Sequence, residues 1–248
     1  MLLSVVIPVY NEEQTLERCI RRVLSAPLPD GMSIEVLVVD DGSRDRSASV
    51  IAAMLPQFSA LKLITHEKNR GKGAALRTGF LAAAGTFVLV QDADLEYDPA
   101  DYRSLLGPLL DGRADVVFGS RFREGTHRVH LYFHYLGNRL LTFVSNICSG
   151  LNLTDMETGY KVMRREVVAR LDLRSRRFDV EPELTAKVAR MGARVYEVAI
   201  SYSGRDFEEG KKIGWRDGFS ALWAILRFNF ISRAPEPLPR FRQAQTGA

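Results

Sequence analysis

The stretch LVQDADLEYDP at residues 89–99 carries an apolar run straight into Asp92, Asp94, Glu96 and Asp98, four carboxylates in seven residues. Packed that closely, like charges raise one another's pKa unless something positive lies between them. Two arrangements relieve the repulsion. Either the carboxylates splay into water as a helix entry, with Asp98 capping the helix that Pro99 opens, or they hold a cation. An extended segment alternates faces, so Asp92 and Asp94 point the same way and Glu96 continues the set. Hard oxygen donors in that pattern suit Mg2+ or Mn2+, which take one or two carboxylates and complete their shell with water or substrate phosphates. Asp92 follows directly on a buried strand pattern, which favours the cation.

A second loop, KNRGKGAALRTG at 68–79, sets Lys68, Arg70 and Lys72 beside two glycines. It is not a Walker A loop, because no Lys-Ser/Thr follows the last glycine. Nor is it a dinucleotide fingerprint, since Leu76 stands where the third glycine is required. The glycines serve either a tight helix entry or contact of these cations with an anion.

The elements that must position these loops alternate in type. Strand patterns fall at Leu2–Val9, Ile34–Val39, Leu61–Thr65, Thr86–Val90 and Asp115–Phe118, with helical patterns near 12–25, 44–55, 73–84 and 99–111. Short β-branched runs without alternation suit strands covered on both faces. The order implies an α/β fold with right-handed crossovers and a mostly parallel sheet flanked by helices. Ligands of such sheets sit beyond the carboxyl ends of the strands, where PVYNEE, DDGSRD, EKNRGKG and QDADLE all fall. The second half predicts a long helix at 131–150, a strand at 158–163, helices at 164–171 and 181–191, a strand at 194–200, and a last helix over 215–231.

Composition sets the remaining bounds. At 248 residues, with 46% hydrophobic and 26% charged residues, the chain suits one globular domain over 1–231 and a flexible tail over 232–248. Residues 1–120 carry 12 Lys/Arg against 16 Asp/Glu, net −4, and residues 121–248 carry 22 against 14, net +8. That asymmetry fits two sites of different character or simply unequal solvated faces. Nucleic-acid binding is not expected, because the basic residues lack an aromatic strand platform or a reading motif. No signal-peptide pattern opens the chain and no apolar run reaches membrane-span length. Cys19 and Cys148, far apart, read as small hydrophobes in a reducing cytosol. Nothing in the sequence sets an oligomeric state.

Taken in order, VVIPVYNEE, VLVVDDGSRDRS, EKNRGKGAALRTGF, VLVQDADLEYDP and VFGSRF resemble the inverting family 2 glycosyltransferases. TDMETGYKVMRREV and GRDFEEGKKIGWRDG narrow the resemblance to the dolichyl-phosphate mannosyltransferase and polyprenyl-phosphate glucosyltransferase branch, over roughly residues 3–231. The resemblance implies a GT-A fold, a nucleotide-sugar donor and a divalent metal. It places Pro8, Tyr10 and Glu12 at the nucleoside and Val39 and Asp41 around base and ribose. Asp92 and Asp94 carry the metal, with Ala93 between them on the donor side, Glu96 as a variable third ligand, and Lys72 toward the donor. By the same resemblance Arg121, Arg205 and Lys211 match positions that handle the diphosphate and the acceptor phosphate. Asp155 orients the site.

A hydroxyl acceptor needs a carboxylate base, for which Asp155 or Glu157 would serve. A polyprenyl monophosphate is already largely ionised near neutral pH and needs none. The enzyme must then hold two anions together, through the metal and through arginines and lysines, Lys212 among them. Such an acceptor lies in a membrane. The last helix offers Trp215, Phe219, Leu222, Trp223, Ile225, Leu226, Phe228 and Phe230 beside Arg216, Arg227 and Arg233, which suits either peripheral attachment to the cytoplasmic membrane surface or packing on the sheet. The sequence leaves GDP-mannose and UDP-glucose as equal donors, and a sugar-hydroxyl acceptor or a non-catalytic nucleotide-sugar-binding subunit as the competing readings.

Overall fold

In the computed structural model the residues described are 1–123, 132–177, 179–204 and 215–239. They run β1 (Leu2–Val9), α1 (Leu16–Leu24), β2 (Ser33–Asp40), α2 (Ser47–Met54), β3 (Leu61–Thr65), α3 (Lys72–Ala82), β4 (Phe87–Val90), α4 (Tyr102–Leu110), β5 (Val116–Ser120), α5 (Tyr132–Ser149), β6 (Lys161–Arg164), α6 (Arg165–Val168), α7 (Val180–Arg190), β7 (Val195–Ala199) and α8 (Trp215–Leu226), which continues as a π-helical turn to Ile231. The seven strands form one sheet in the order β3-β2-β1-β4-β6-β5-β7. β3, β2, β1 and β4 pair in parallel, as do β5 and β7, and β6 alone runs antiparallel to both its neighbours.

Period-two alternation sorts the strand side chains onto two faces. Val5, Ile7, Val36 and Val38 pack with Leu16 and Ile20 of α1, Ile51 of α2 and Leu105 of α4. Val6, Leu37, Val88 and Phe118 pack with Leu76 and Phe80 of α3 and with Val180, Leu184 and Val188 of α7. The sheet is therefore covered on both sides, which is why its strands read as apolar runs.

α5 and α8 are different. They pack against each other, and Ala221, Ala224, Ile225 and Phe228 are buried. Leu136, Leu140, Phe143 and Ile147 of α5 and Phe219, Trp223 and Phe230 along α8 and its extension stay exposed, Phe143 at 61% and Trp223 at 57%. One face of the last helix thus packs on α5 and α7 rather than on the sheet, and another is bare. Among the described residues no helix is long and apolar enough to cross a membrane. The tail is not free as far as it is described, because the Leu238 amide donates to Met191 O (3.0 Å) and Arg190 donates to Ser232 O (2.8 Å).

Candidate active site

The loops after β1 and β2 are stitched to each other. Asn11, which turns the chain with φ of 55°, donates its amide to Ser43 Oγ (3.0 Å) and accepts from the Arg44 amide at Oδ1 (2.8 Å). The Glu12 and Glu13 amides donate to Ser47 Oγ and Asp45 Oδ2, both at 3.0 Å. Pro8, Tyr10 and Glu12 lie half-buried on this edge, and Val39 is fully buried. Asp41 is also buried; its carboxylate accepts from the Arg70 amide (3.0 Å), the Gly71 amide (2.6 Å) and His66 Nδ1 (2.6 Å). In this structure Asp41 therefore builds the rim by holding the loop after β3.

That loop needs its glycines for close approach to backbone. Gly71 has φ of 92°, and a Cβ there would sit 2.0 Å from Arg176 O. The Gly73 amide donates to the same carbonyl at 3.0 Å. Lys68 and Arg70 point into solvent, whereas Lys72 turns inward. Its Nζ lies 2.8 Å from Asp92 Oδ1 and 2.9 Å from Glu181 Oε1. Burial works against the ammonium, yet Asp92 and Glu181 outweigh it and hold the Lys72 pKa well above the usual lysine value.

The carboxylate cluster divides its labour. Extended alternation does not hold past Asp92: Leu95 has φ of 66°, and the Glu96 amide donates to Asp94 Oδ1 (3.1 Å), so the segment turns. Glu96 accepts from the Tyr202 hydroxyl at 2.8 Å, and Asp98 caps the Pro99–Asp101 turn by accepting from the Ala100 amide (3.0 Å). Asp98 thus plays the helix-entry role, Asp92 faces the Lys72 ammonium, and Ala93 is buried between Asp92 and Asp94. A Cβ on Gly159 would come within 2.3 Å of Asp92 Oδ2, so the glycine of METGY makes room for that carboxylate. Among the described residues no three carboxylate, histidine or thiol groups converge into a ready metal cage. The two carboxylates the segment offers Mg2+ or Mn2+ are Asp92 and Asp94. Asp92 Oδ1 already faces the positive ammonium of Lys72, and these ions ask the protein for only one or two carboxylates.

Beyond β5, Arg121 and Asp155 form a bidentate pair, Nε to Oδ2 at 2.6 Å and Nη2 to Oδ1 at 2.7 Å. The Arg121 amide adds a third bond to Oδ2 (3.0 Å), and Asn138 of α5 a fourth to Oδ1 (3.3 Å). Burial opposes the guanidinium charge, but Asp155 holds its pKa well above the ordinary arginine value. Tyr202 lies beneath the guanidinium at 5.1 Å. Asp155 therefore orients Arg121 and is itself held by Asn138. Arg205, Lys211 and Lys212 lie outside the described residues, as do the side chains of Trp215 and Arg216.

Several partners had no motif to announce them. Glu181 joins Lys72 to Lys161, whose Nζ is 3.3 Å from Glu181 Oε2 and also donates to the Thr158 carbonyl. Burial pushes the Lys161 pKa down. Glu157 lies beside this chain; burial and the Glu181 charge push its carboxyl up to about 7, against the pull of Lys161 and Arg121, and its Oε1 has no hydrogen-bond partner. Gln91 Oε1 accepts from Tyr102 (2.8 Å) and Tyr160 (2.7 Å), while its Nε2 donates to Asp92 O (2.9 Å). The available signal was charge inside apolar runs, Lys161 in YKVM and Glu181 in DVEPEL, because a buried charge requires a partner.

The chain is similar to known proteins over most of its length. The profile described as "Glycosyl transferase family 2" matches residues 4–172. The undecaprenyl-phosphate 4-deoxy-4-formamido-L-arabinose transferase of Pseudomonas aeruginosa (strain LESB58) is 32% identical over 211 residues, covering 85% of this chain and 60% of that protein. The dolichyl-phosphate beta-glucosyltransferase ALG5D of Trichomonas vaginalis is 28% identical, covering 81% and 65%. The chain thus spans about three fifths of the length of these curated relatives. Among solved structures, glucosyl-3-phosphoglycerate synthase from Mycobacterium tuberculosis, bound to phosphoglyceric acid, matches with a TM-score of 0.70 at 25% identity, over 94% of this chain and 81% of that one. Forms of that enzyme crystallised with Mn2+ or Mg2+ and UDP share the fold at TM-scores of 0.67 and 0.69.

Proposed function

Because the chain belongs to glycosyl transferase family 2, we propose that it transfers a hexose from a nucleotide-diphosphate sugar, of the GDP-mannose or UDP-glucose type, to a polyprenyl phosphate such as dolichyl or undecaprenyl phosphate. The catalytic unit is residues 1–231. Residues 1–120 take the donor, and residues 121–231 face the acceptor and the cytoplasmic membrane surface, to which the protein attaches peripherally. In the reaction an acceptor phosphate oxygen attacks the sugar's anomeric carbon as the bond to the diphosphate breaks, which inverts that carbon.

Asp92 and Asp94 would hold Mg2+ or Mn2+, which when bound neutralises charge developing on the departing diphosphate. Lys72 supplies a positive charge on the same side, and Asp41 shapes the rim by holding Arg70 and Gly71. Arg121 is held rigid by Asp155 and presents positive charge toward the phosphates. Asp155 is so fully engaged by Arg121 and Asn138 that it is poorly placed to act as a base, which suits an acceptor needing no deprotonation.

The observation that carries the acceptor reading is α5. Asn138 on this helix reaches the Arg121–Asp155 pair, while Leu136, Leu140, Phe143 and Ile147 of the same helix form an exposed stripe at i, i+4, i+7 and i+11 spacing. The helix therefore joins the site to an apolar surface, and the neighbouring Phe219, Trp223 and Phe230 widen that surface. Glu157 favours the hydroxyl-acceptor reading, since a buried carboxyl pushed up to about 7 has a base's poise. One assay separates the two. With Mn2+ and labelled GDP-mannose or UDP-glucose, undecaprenyl phosphate should be glycosylated and the matching polyprenol should not. Transfer to the alcohol, or to a sugar hydroxyl alone, would favour the Glu157 reading.

A further inference from the structure

We infer that Lys72 is an internal counter-cation: its ammonium holds the Asp92 oxygen that a divalent cation would need, so the cation binds well only together with the donor diphosphate. The inference rests on the metal reading above and specifies how that site is controlled.

On Asp92 the two positive charges meet at one oxygen. Asp92 Oδ2 is turned against Gly159, where even a Cβ would come within 2.3 Å. Oδ1 is the oxygen that Lys72 Nζ approaches to 2.8 Å, with both side chains largely shielded from water, Lys72 at 16% and Asp92 at 19% exposure. A divalent cation on Oδ1 would stand close to that ammonium, and unscreened like charges at such distances repel strongly. Lys72 has somewhere else to go. Its second contact, 2.9 Å to Glu181 Oε1, survives a small rotation of the stem, and Glu181 is itself anchored through Oε2 to Lys161. An ammonium has three donors, and two are used here. A diphosphate offers the acceptor and the negative charge that repay the loss of Asp92. Without it, moving Lys72 leaves a positive charge beside a newly bound cation.

Removing the ammonium should therefore shift two affinities in opposite directions, which a merely structural role would not do. Mn2+ binding, followed by electron paramagnetic resonance and calorimetry on the whole chain, is measured alone and then with UDP or GDP. Lys72→Met should bind Mn2+ alone roughly tenfold more tightly than the wild type, and UDP or GDP in the presence of Mn2+ roughly tenfold more weakly, the scale of losing one partly buried ion pair. Lys72→Arg keeps the competing charge and should keep Mn2+ alone weak. Lys72→Gln carries the same expectation as Lys72→Met should the latter fail to fold by circular dichroism. Wild type that binds Mn2+ with nucleotide, together with neutral variants that leave the affinity for Mn2+ alone unchanged or lowered, overturns the inference and spares the metal reading. A wild type that takes up no Mn2+ with either diphosphate overturns both.

Discussion

Beyond β1 and β2 the polar loops are tied to each other by amide-to-side-chain hydrogen bonds through Ser43, Ser47, Asp45 and Asp41, whereas α5 and α8 leave Leu140, Phe143, Phe219 and Trp223 bare. The two regions present different surfaces, one polar and pre-oriented and the other apolar. A charged, water-soluble ligand is best met by groups already oriented, because reorganising dipoles around it costs free energy at the moment of reaction. A lipid needs area and little direction, which an exposed helical stripe supplies. The Arg121–Asp155 pair stands between them, oriented like the first region and attached through Asn138 to the second.

The comparison breaks most visibly at Asp92. Asp92→Asn should lower turnover about a thousandfold, with the circular dichroism spectrum intact because β4 is buried independently of that side chain. Full activity of this variant in EDTA would remove the metal from the donor side altogether.

Arg121 tests whether the middle pair belongs to the chemistry or only to the fold. Arg121→Ala strands the buried Asp155 carboxylate and should cost about 3–5 kcal/mol of stability, read from the denaturant midpoint. Arg121→Met combined with Asp155→Leu should recover most of that stability and none of the transfer. Recovery of transfer would make the pair purely structural.

Glu157 sharpens the boundary through pH. Its folded pKa, about 7, lies above the ordinary 4.5, so the folded state binds the extra proton. Stability from this group is present below the ordinary value and is lost as pH rises toward 7. Wild type should therefore lose on the order of 2–3 kcal/mol between pH 4.5 and 7 relative to Glu157→Gln. Parallel stability curves for the two proteins would show that Glu157 ionises normally.

The smallest effect belongs to the apolar side. Trp223→Ser should weaken sedimentation with anionic liposomes roughly tenfold, the scale of one buried aromatic side chain, and leave the thermal midpoint unchanged. Binding should also fall as salt rises, since basic residues near an anionic surface are screened. Unchanged binding to liposomes would leave the exposed stripes without a lipid.

Much of this architecture is legible from local pattern. β1 and β3 fall at the residues their apolar runs predict, and α3 begins within one residue of expectation. The π-helical turn, the bonded part of the tail and the turn at Leu95 are not legible, because each depends on what packs against it. The DAD segment shows the limit well. Alternation predicts three carboxylates on one side, but a left-handed residue and the pull of Tyr202 send Glu96 elsewhere.

By itself the sequence determined the order of strands and helices, the loops that gather beyond the strand ends, and the carboxylates and cations those loops carry. These follow from periodicity and residue type, which act over a few neighbouring residues. Only the tertiary structure decided the partners. Lys72 meets Asp92 and Glu181, Arg121 meets Asp155, and Tyr202 meets Glu96, across separations of 20 to 109 residues. A charge in a buried segment must find its opposite, but which opposite is set by the crossing of sheet and helices in space, and nothing local to either residue encodes it.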